Sequence, residues 1–231
     1  MATGSPRPRS AAPSAAPFTA PTLVRLLARL AGPDAPSAQA PFDERLGQWL
    51  HWTDAAALSE ALDGTGRPAP AAAPTGDDAD SLALALRRTR ETMARTIEAD
   101  CSAARADLGD DYAAWRRLVV NRQQAVLAGL APLRARLRGA LVAHSPALGR
   151  LAEVDTVMER ALGTRERALL GATLPSLLQR HFERLRAGDA DGWRDPFCRD
   201  LHELLMAALD LCLQPLEGLL AALRAAPTPA A

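Results

Sequence analysis

The residues best suited to chemistry in this chain are His202 and Glu203, which open the stretch His-Glu-Leu-Leu-Met at 202–206. A zinc-protease helix needs two histidines one turn apart to bind the metal, with the glutamate between them as the base. Met206 stands at the second histidine position, and a thioether does not replace an imidazole on zinc. The spacing therefore favours an ordinary His-Glu pair on the polar edge of an amphipathic helix.

No other spacing in the chain indicates a metal or cofactor site. A di-iron bundle needs Glu-x-x-His on two helices, and that spacing does not occur. Cys101, Cys198 and Cys212 form no Cys-x-x-Cys pair, so we expect reduced, buried thiols. Gly64-Thr65-Gly66 follows a helical pattern, whereas a dinucleotide-binding loop follows a strand. We predict no catalytic residues, no cofactor and no bound metal.

Arginine clusters offer an alternative, nucleic-acid-binding function, because the guanidinium group suits phosphate. The chain has 27 basic residues, all arginine, and 27 acidic residues, and acidic side chains interleave with the first two clusters. A net charge of zero provides no overall field to attract nucleic acid, so we expect exposed, solubilising charge. The clusters are Arg87, Arg88 and Arg90; Arg116, Arg117 and Arg122; and Arg134, Arg136 and Arg138.

Trp49 and Trp52 are the candidate interface residues, since aromatic residues make up only 4% of the chain. The two lie on one side of a predicted helix, where one of them would serve as an anchor for a partner protein. Filling of the core is the other interpretation of both side chains, and the sequence leaves the choice open.

The elements that carry these residues are all predicted to be helices. Apolar residues recur every three to four positions from about residue 77 to 225, and no segment alternates with the period of two that a half-buried strand needs. Long helices over 77–108 and 112–144 flank Gly109, which predicts an antiparallel hairpin. The fold class is therefore all-α, a helical bundle built around this hairpin with an N-terminal helical pair.

Further helices and boundaries follow from proline, glycine and capping residues. We predict helices at 21–31, 41–62, 146–162, 164–187 and from the cap at Asp195 onward, with Pro132 and Pro215 bending two of them. The predicted organisation is a disordered segment 1–17, the N-terminal helical pair 18–62, a Pro/Ala/Gly linker 63–76, the main helical domain 77–225 and a frayed tail 226–231.

Two segments resemble an uncharacterised proteobacterial group, domain-of-unknown-function family 3348. They are FTAPTLVRLLARL with PFDERLGQWLHWTDAAALSEAL near the start, and FCRDLHELLMAALDLCLQPLEGLLAALR near the end. The family has no assigned activity, so the resemblance implies no site residues. Its members are encoded beside membrane proteins of motor-stator and peptidoglycan-binding type, which implies at most a cytoplasmic partner for an envelope complex.

These observations predict a cytoplasmic, non-enzymatic helical protein that binds other proteins. No apolar stretch reaches the roughly 20 residues of a membrane span without charges, so we expect no direct membrane insertion. The partner is a second copy of the chain, with a homodimer favoured, or a component of a membrane complex. The alternatives are a nucleic-acid-binding protein that uses the arginine clusters, and an enzyme whose site forms only on folding.

Overall fold

The computed structural model describes residues 22–32, 52–63, 78–189 and 191–226, and these ranges contain helices and no strand. The all-α prediction is confirmed. The helices are α1 (Thr22–Ala31), α2 (Trp52–Asp63), α3 (Ala79–Asp107), α4 (Tyr112–His144), α5 (Pro146–Ala168), a π-helical turn (Leu169–Thr173), α6 (Leu174–Gly188) and α7 (Arg194–Ala225). The predicted disordered segment 1–17, most of the linker 63–76 and most of the tail 226–231 lie outside the described residues.

Helix α7 forms the centre of the bundle, because its most extensive contacts are with α3 and then with α4. Leucines on one stripe of α7 are almost fully buried, with Leu201, Leu204 and Leu213 at 0% exposure. The facing residues of α3 and α4 include Leu82, Ile97 and several equally buried leucines. The apolar stripes that the sequence places on both arms of the hairpin are therefore covered by the last helix of the same chain.

The hairpin between α3 and α4 is the predicted one, and local hydrogen bonds fix its turn. The backbone N–H of Leu108 bonds to the Ala104 carbonyl at 2.9 Å and closes α3. The Asp111 carboxylate accepts a hydrogen bond from the Ala113 N–H at 2.9 Å and caps α4. The indole of Trp115 donates to the Gly109 carbonyl at 3.0 Å, so a buried ring holds the turn against the core.

The aromatic residues of the described chain gather at this end of the bundle. Trp115 meets Phe197 edge to face with ring centroids 5.2 Å apart, and Phe182 meets Trp193 at 4.7 Å. Tyr112 packs on Phe182 at 5.5 Å and donates a hydrogen bond to the Pro175 carbonyl. Edge-to-face packing adds attraction beyond the area buried. Trp193 and Phe197 thus fill the core.

The two N-terminal helices pack against different parts of the bundle. Helix α1 lies on α6 and α7, where it buries Leu23 and Leu30, and α2 lies on α5. In the described residues α1 and α2 make few contacts with each other, so the predicted helical pair is two separately docked helices. Residues 41–51 of the predicted second helix, including Trp49, lie outside the described residues.

The boundary between α5 and α6 differs from the prediction. The sequence places a break at 162–163, but α5 continues through Gly163 to Ala168, and a π-helical turn at 169–173 follows. Pro175 explains the shift, because its ring has no N–H and would collide with the carbonyl four residues earlier in a regular helix. A wider π-helical turn relieves that collision.

The cap of α7 also differs from the prediction. α4 and α7 are continuous through Pro132 and Pro215, and the bend predicted at each proline stays a prediction. The predicted cap at Asp195 is wrong, since α7 begins at Arg194 and Trp193 precedes it without a side-chain cap. Asp195 instead forms an ion pair with Arg105 of α3 at 2.7 Å.

Helix α7 is also long and apolar enough to cross a membrane by length and composition. Its most apolar window has a mean hydropathy of 1.5, and 56% of that window is buried inside the structure. The central helix of a soluble bundle meets the same criterion, so this property is weak support for a membrane span.

Candidate functional site

The most open concavity that we describe lies on the hairpin, between the second half of α3 and the first half of α4. It has a volume of about 500 Å³, and none of its described lining residues comes from α7. We call it the hairpin groove, and its lining residues are Asp100, Ala103, Ala104, Asp107, Leu108, Ala114, Leu118, Asn121, Arg122 and Ala125.

Small side chains are the reason that the hairpin groove is open. Ala103, Ala104, Ala114 and Ala125 end at Cβ, so they cannot fill the space between two helices whose other faces are packed on α7. Leu118 is partly exposed in the groove, although it also contacts the core. The floor is therefore apolar and shallow. Helices α3 and α4 form the walls of the groove, and their buried faces hold them in place.

The charges of the hairpin groove lie mainly along its α3 edge. Asp100 and Asp107 are seven residues apart, about 10.5 Å along the helix, and so project from the same side. The Asp100 carboxylate accepts a hydrogen bond from Arg122 of α4, which closes the groove floor at that point. Asp107 is exposed and has no ion-pair partner among the described residues. The α3 edge therefore carries one uncompensated negative charge.

A second cluster of polar groups lies where α1 meets α6 and α7. Arg29 contacts Asp200 at 2.9 Å and Glu203 at 2.8 Å, while Nε2 of His181 lies 2.7 Å from the other Asp200 oxygen. Arg184 donates to the Leu30 carbonyl at 2.7 Å. These bonds attach α1 to the bundle, and they account for Glu203, which the sequence placed in a His-Glu pair.

Burial lowers the pKa of His181, and the charges of Arg184 and Arg29 add to this effect. The hydrogen bond and negative charge of Asp200 oppose it without overcoming it. Nδ1 of His181 is buried and has no hydrogen-bond partner among the described residues. Protonation of that nitrogen would bury an unpaired N–H, so the structure favours the neutral ring.

The predicted site residues are only partly described. Trp49 lies outside the described residues, and Trp52 begins α2 without a described side chain, so the interface prediction for both stays a prediction. His202 and Met206 border a shallow depression of about 290 Å³ beside Thr22 and Leu26 of α1. In the ranges that the structure covers, no group of three His, Cys, Asp or Glu residues could bind a metal ion.

The arginine clusters are divided between ion pairs and solvent. Arg90 bonds to Asp210 of α7 at 2.7 Å, and Arg134 and Arg138 both bond to Asp155 of α5. From the sequence we interpreted these residues as solubilising charge, but their ion pairs connect helices. Sequence reasoning could not assign these partners, because they lie at least 17 residues away. Arg87, Arg88, Arg116 and Arg117 are the exposed remainder.

A second crevice, of about 280 Å³, lies between α4, α5 and α7. Leu127, Leu130, Leu211, Pro215 and Leu216 line its apolar part, and Arg134, Glu159 and Arg167 lie among its polar residues. It is the place where a small-molecule site, the enzyme alternative, would be sought. Arg134 and Glu159 form an ion pair with each other at 3.2 Å. Arg167 is therefore the cation of the crevice that is more available to a ligand.

Fold and groove together define an all-helical protein with an alanine-lined groove on a helical hairpin. Residues 10–225 match the family described as "Protein of unknown function (DUF3348)". The chain belongs to this family, as its N-terminal and C-terminal segments predicted. No curated protein and no solved structure matches the chain.

Proposed function

We propose that this protein is a non-enzymatic protein–protein interaction protein whose hairpin groove binds an amphipathic helix of a partner protein. The observation that supports the proposal is the groove itself, a shallow concavity of about 500 Å³ with an apolar floor between two long helices. An apolar helix face laid into such a groove is a common mode of protein recognition. A helix in this position would add a further helix to the bundle formed by α3, α4 and α7.

The chemistry of the groove defines the partner helix. Ala103 and Ala114 leave room for larger apolar side chains, so the partner should present leucine-sized residues to the floor. Asp107, whose charge is not compensated, calls for a Lys or Arg residue on the side of the partner helix that lies along α3. We place this interaction in the cytoplasm, with a component of an envelope complex as the expected partner, as the family resemblance implies.

A designed helical peptide tests the recognition chemistry. Its sequence would carry a leucine ridge and an arginine placed to face Asp107, and a matched peptide would carry a glutamate in the place of that arginine. We expect fluorescence anisotropy to show micromolar binding of the arginine peptide and at least tenfold weaker binding of the glutamate peptide, because like charges repel at the α3 edge. Equal binding of both peptides would contradict the proposed chemistry.

Substitutions in the groove localise the binding. Ala103→Glu places a bulky carboxylate on the floor and should abolish binding, whereas Ser102→Glu, one residue away and outside the groove, should leave it unchanged. Asp107→Arg should weaken the arginine peptide and strengthen the glutamate peptide. Binding that survives Ala103→Glu would place the site elsewhere.

Photo-crosslinking in the native cell identifies the natural occupant. A photoreactive residue at position 103, with position 102 as the control, should link the protein to a partner peptide that has a basic residue beside an apolar helix face. A crosslink to a second copy of this chain would instead show a homodimer and overturn the assignment of a heterologous partner.

A further inference from the structure

Three ion pairs define the alignment of α3 against α7. Arg105 pairs with Asp195 at 2.7 Å, and Arg90 pairs with Asp210 at the same distance. In both pairs the residue numbers add up to 300, so the two helices run antiparallel, and Arg224 with Asp80 at 3.0 Å extends the alignment to the far end. Because Arg90 also contacts Glu217 at 3.4 Å, these pairs align the helices by segment, and the part of α3 that carries Cys101 lies along the first turns of α7, which carry Cys198.

The helix geometry brings Cys101 and Cys198 within reach of each other. Both side chains are buried, at 7% and 8% exposure, in the same core. Packed helix axes are about 8–10 Å apart and each Cα lies about 2.3 Å from its axis, which leaves about 3.4–5.4 Å between facing Cα atoms. Disulfides span Cα separations of about 4.4–6.8 Å, so facing cysteines in the wider part of this range meet the requirement.

We propose that Cys101 and Cys198 are a dithiol pair that hydrogen peroxide oxidises to a disulfide joining α3 to α7. The Cys198 thiolate attacks one peroxide oxygen, the O–O bond breaks, and a sulfenic acid forms as water leaves. The Cys101 thiol then attacks the Cys198 sulfur, the S–S bond forms, the S–O bond breaks, and a second water leaves. The dithiol loses two electrons and two protons, and the peroxide becomes two waters. This inference does not depend on the hairpin groove.

The charges around the pair favour Cys198 as the residue that ionises first. Burial and the negative charge of Asp195 raise the pKa of Cys198, but the nearby cations Arg105 and Arg194 oppose the rise. Burial and the neighbouring Cys198 raise the pKa of Cys101 to about 12, which keeps it a thiol until the second step. Cys198 is in the second turn of α7, close to the helix end, where local opening costs the least.

Cys212 is the matched control within the same chain. It is 14 residues beyond Cys198 on α7, about 21 Å along the helix, so the folded protein cannot bring it to Cys101. Of the three disulfides that three cysteines permit, the structure therefore selects one. A disulfide there would close a loop of almost a hundred residues and restrict the unfolded chain strongly.

The test treats the full-length folded protein with stoichiometric hydrogen peroxide, followed by alkylation and non-reducing tryptic mass spectrometry. We expect one linked peptide that contains Cys101 and Cys198, in the wild type and in Cys212→Ala alike. The oxidised protein should melt several degrees higher, and dithiothreitol should reverse this rise. Cys198→Ala and Cys101→Ala should show neither the link nor the rise.

Two results would overturn the proposal. One is oxidation of Cys212 while Cys101 and Cys198 stay unlinked in the folded wild type. The other is a link that appears only when denaturant is present, since that would show that the native helices hold the sulfurs apart.

Discussion

At the residue scale, Asp155 of α5 is the carboxylate that two arginines of α4 share. Arg134 donates to it at 2.6 and 2.9 Å, and Arg138 donates at 2.7 Å. Its side chain is only 10% exposed. Burial raises the pKa of Asp155, but the hydrogen bonds and charges of both arginines outweigh that effect and hold the pKa below its ordinary value. Asp155 is therefore ionised at neutral pH and neutralises a partly buried pair of cations.

Asp155→Asn should lower the free energy of unfolding by roughly 3 kcal/mol, because it removes the anion and leaves two partly buried guanidinium groups facing each other. Glu159, which is 43% exposed, remains as a partial replacement. Urea denaturation measures the loss. Asp107→Asn, at an exposed position without an ion pair, should change stability by less than about 0.5 kcal/mol. A similar effect of both substitutions would contradict the assigned role of Asp155.

The pKa of His181 predicts how stability depends on pH. This pKa is lowered in the folded protein, so the unfolded chain takes up the proton first as pH falls below its value of about 6.5. The unfolded state then binds more protons, and stability decreases with falling pH until the folded-state pKa is passed. Asp200, Glu203, Arg184 and Arg29 are the charged groups around the ring.

Chemical denaturation between pH 7.5 and about pH 5 measures this slope, since the window brackets the unfolded-state value. His181→Gln should reduce the slope, because the titrating group is gone. An unchanged slope in His181→Gln would assign the pH dependence to another group.

At the element scale, two glycines inside helices differ in how much space surrounds them. Gly218 of α7 has no atom within 4 Å of the position of an added Cβ, whereas an added Cβ at Gly129 of α4 would lie 2.5 Å from Cε of Met93. Gly218→Ala should therefore raise the free energy of unfolding by about 0.5–1 kcal/mol through helix propensity alone. Gly129→Ala should gain less, because the end of Met93 must move.

Thermal and urea unfolding of both variants provide the comparison. Combining Gly129→Ala with Met93→Ala separates the helix propensity gained at position 129 from the contact with position 93. Equal gains in the free energy of unfolding from Gly129→Ala and Gly218→Ala would show that α3 and α4 pack loosely against each other at this point.

The elements also show what the sequence could predict. Apolar periodicity and Gly109 were sufficient for the hairpin, because those signals act within a few residues. The central position of α7 was not predictable, because several helices carry a similar leucine stripe. The sequence pattern does not show which of these helices pack together. The interhelical ion pairs of Arg90 and Arg134 were missed for the same reason. The hairpin groove depends on which alanines face each other, and only the relative positions of α3 and α4 decide that.

At the scale of the whole molecule, the structure removes the assumption on which the homodimer prediction was based. That prediction assumed an apolar stripe left uncovered on the hairpin, but α7 covers the stripe within one chain. The large apolar side chains that remain exposed in the described ranges are scattered over four helices, at Val24, Leu62, Leu84 and Val142. Scattered residues of this kind are normal on monomers. The dimer stays a prediction, but the apolar stripe no longer supports it, and we assign the hairpin groove to a heterologous partner.

The cooperative unit of the molecule is the last prediction, and it concerns the contribution of α1 and α2. The core around α7 consists mainly of residues from α3 to α7, and α1 adds Leu23 and Leu30 at its edge. A chain that begins at residue 78 should therefore fold into the same helical bundle. Each lost leucine removes about 1.5–3 kcal/mol of burial, and the ordering entropy of α1 offsets part of this. We expect circular dichroism to show a helical, cooperatively unfolding protein that is less stable by about 2–4 kcal/mol.

Leu23→Ala with Leu30→Ala in the full chain should cause most of that loss, while Val24→Ala, at 51% exposure, should cause none. A truncated chain without cooperative unfolding would show that α1 and α2 belong to one folding unit with the bundle.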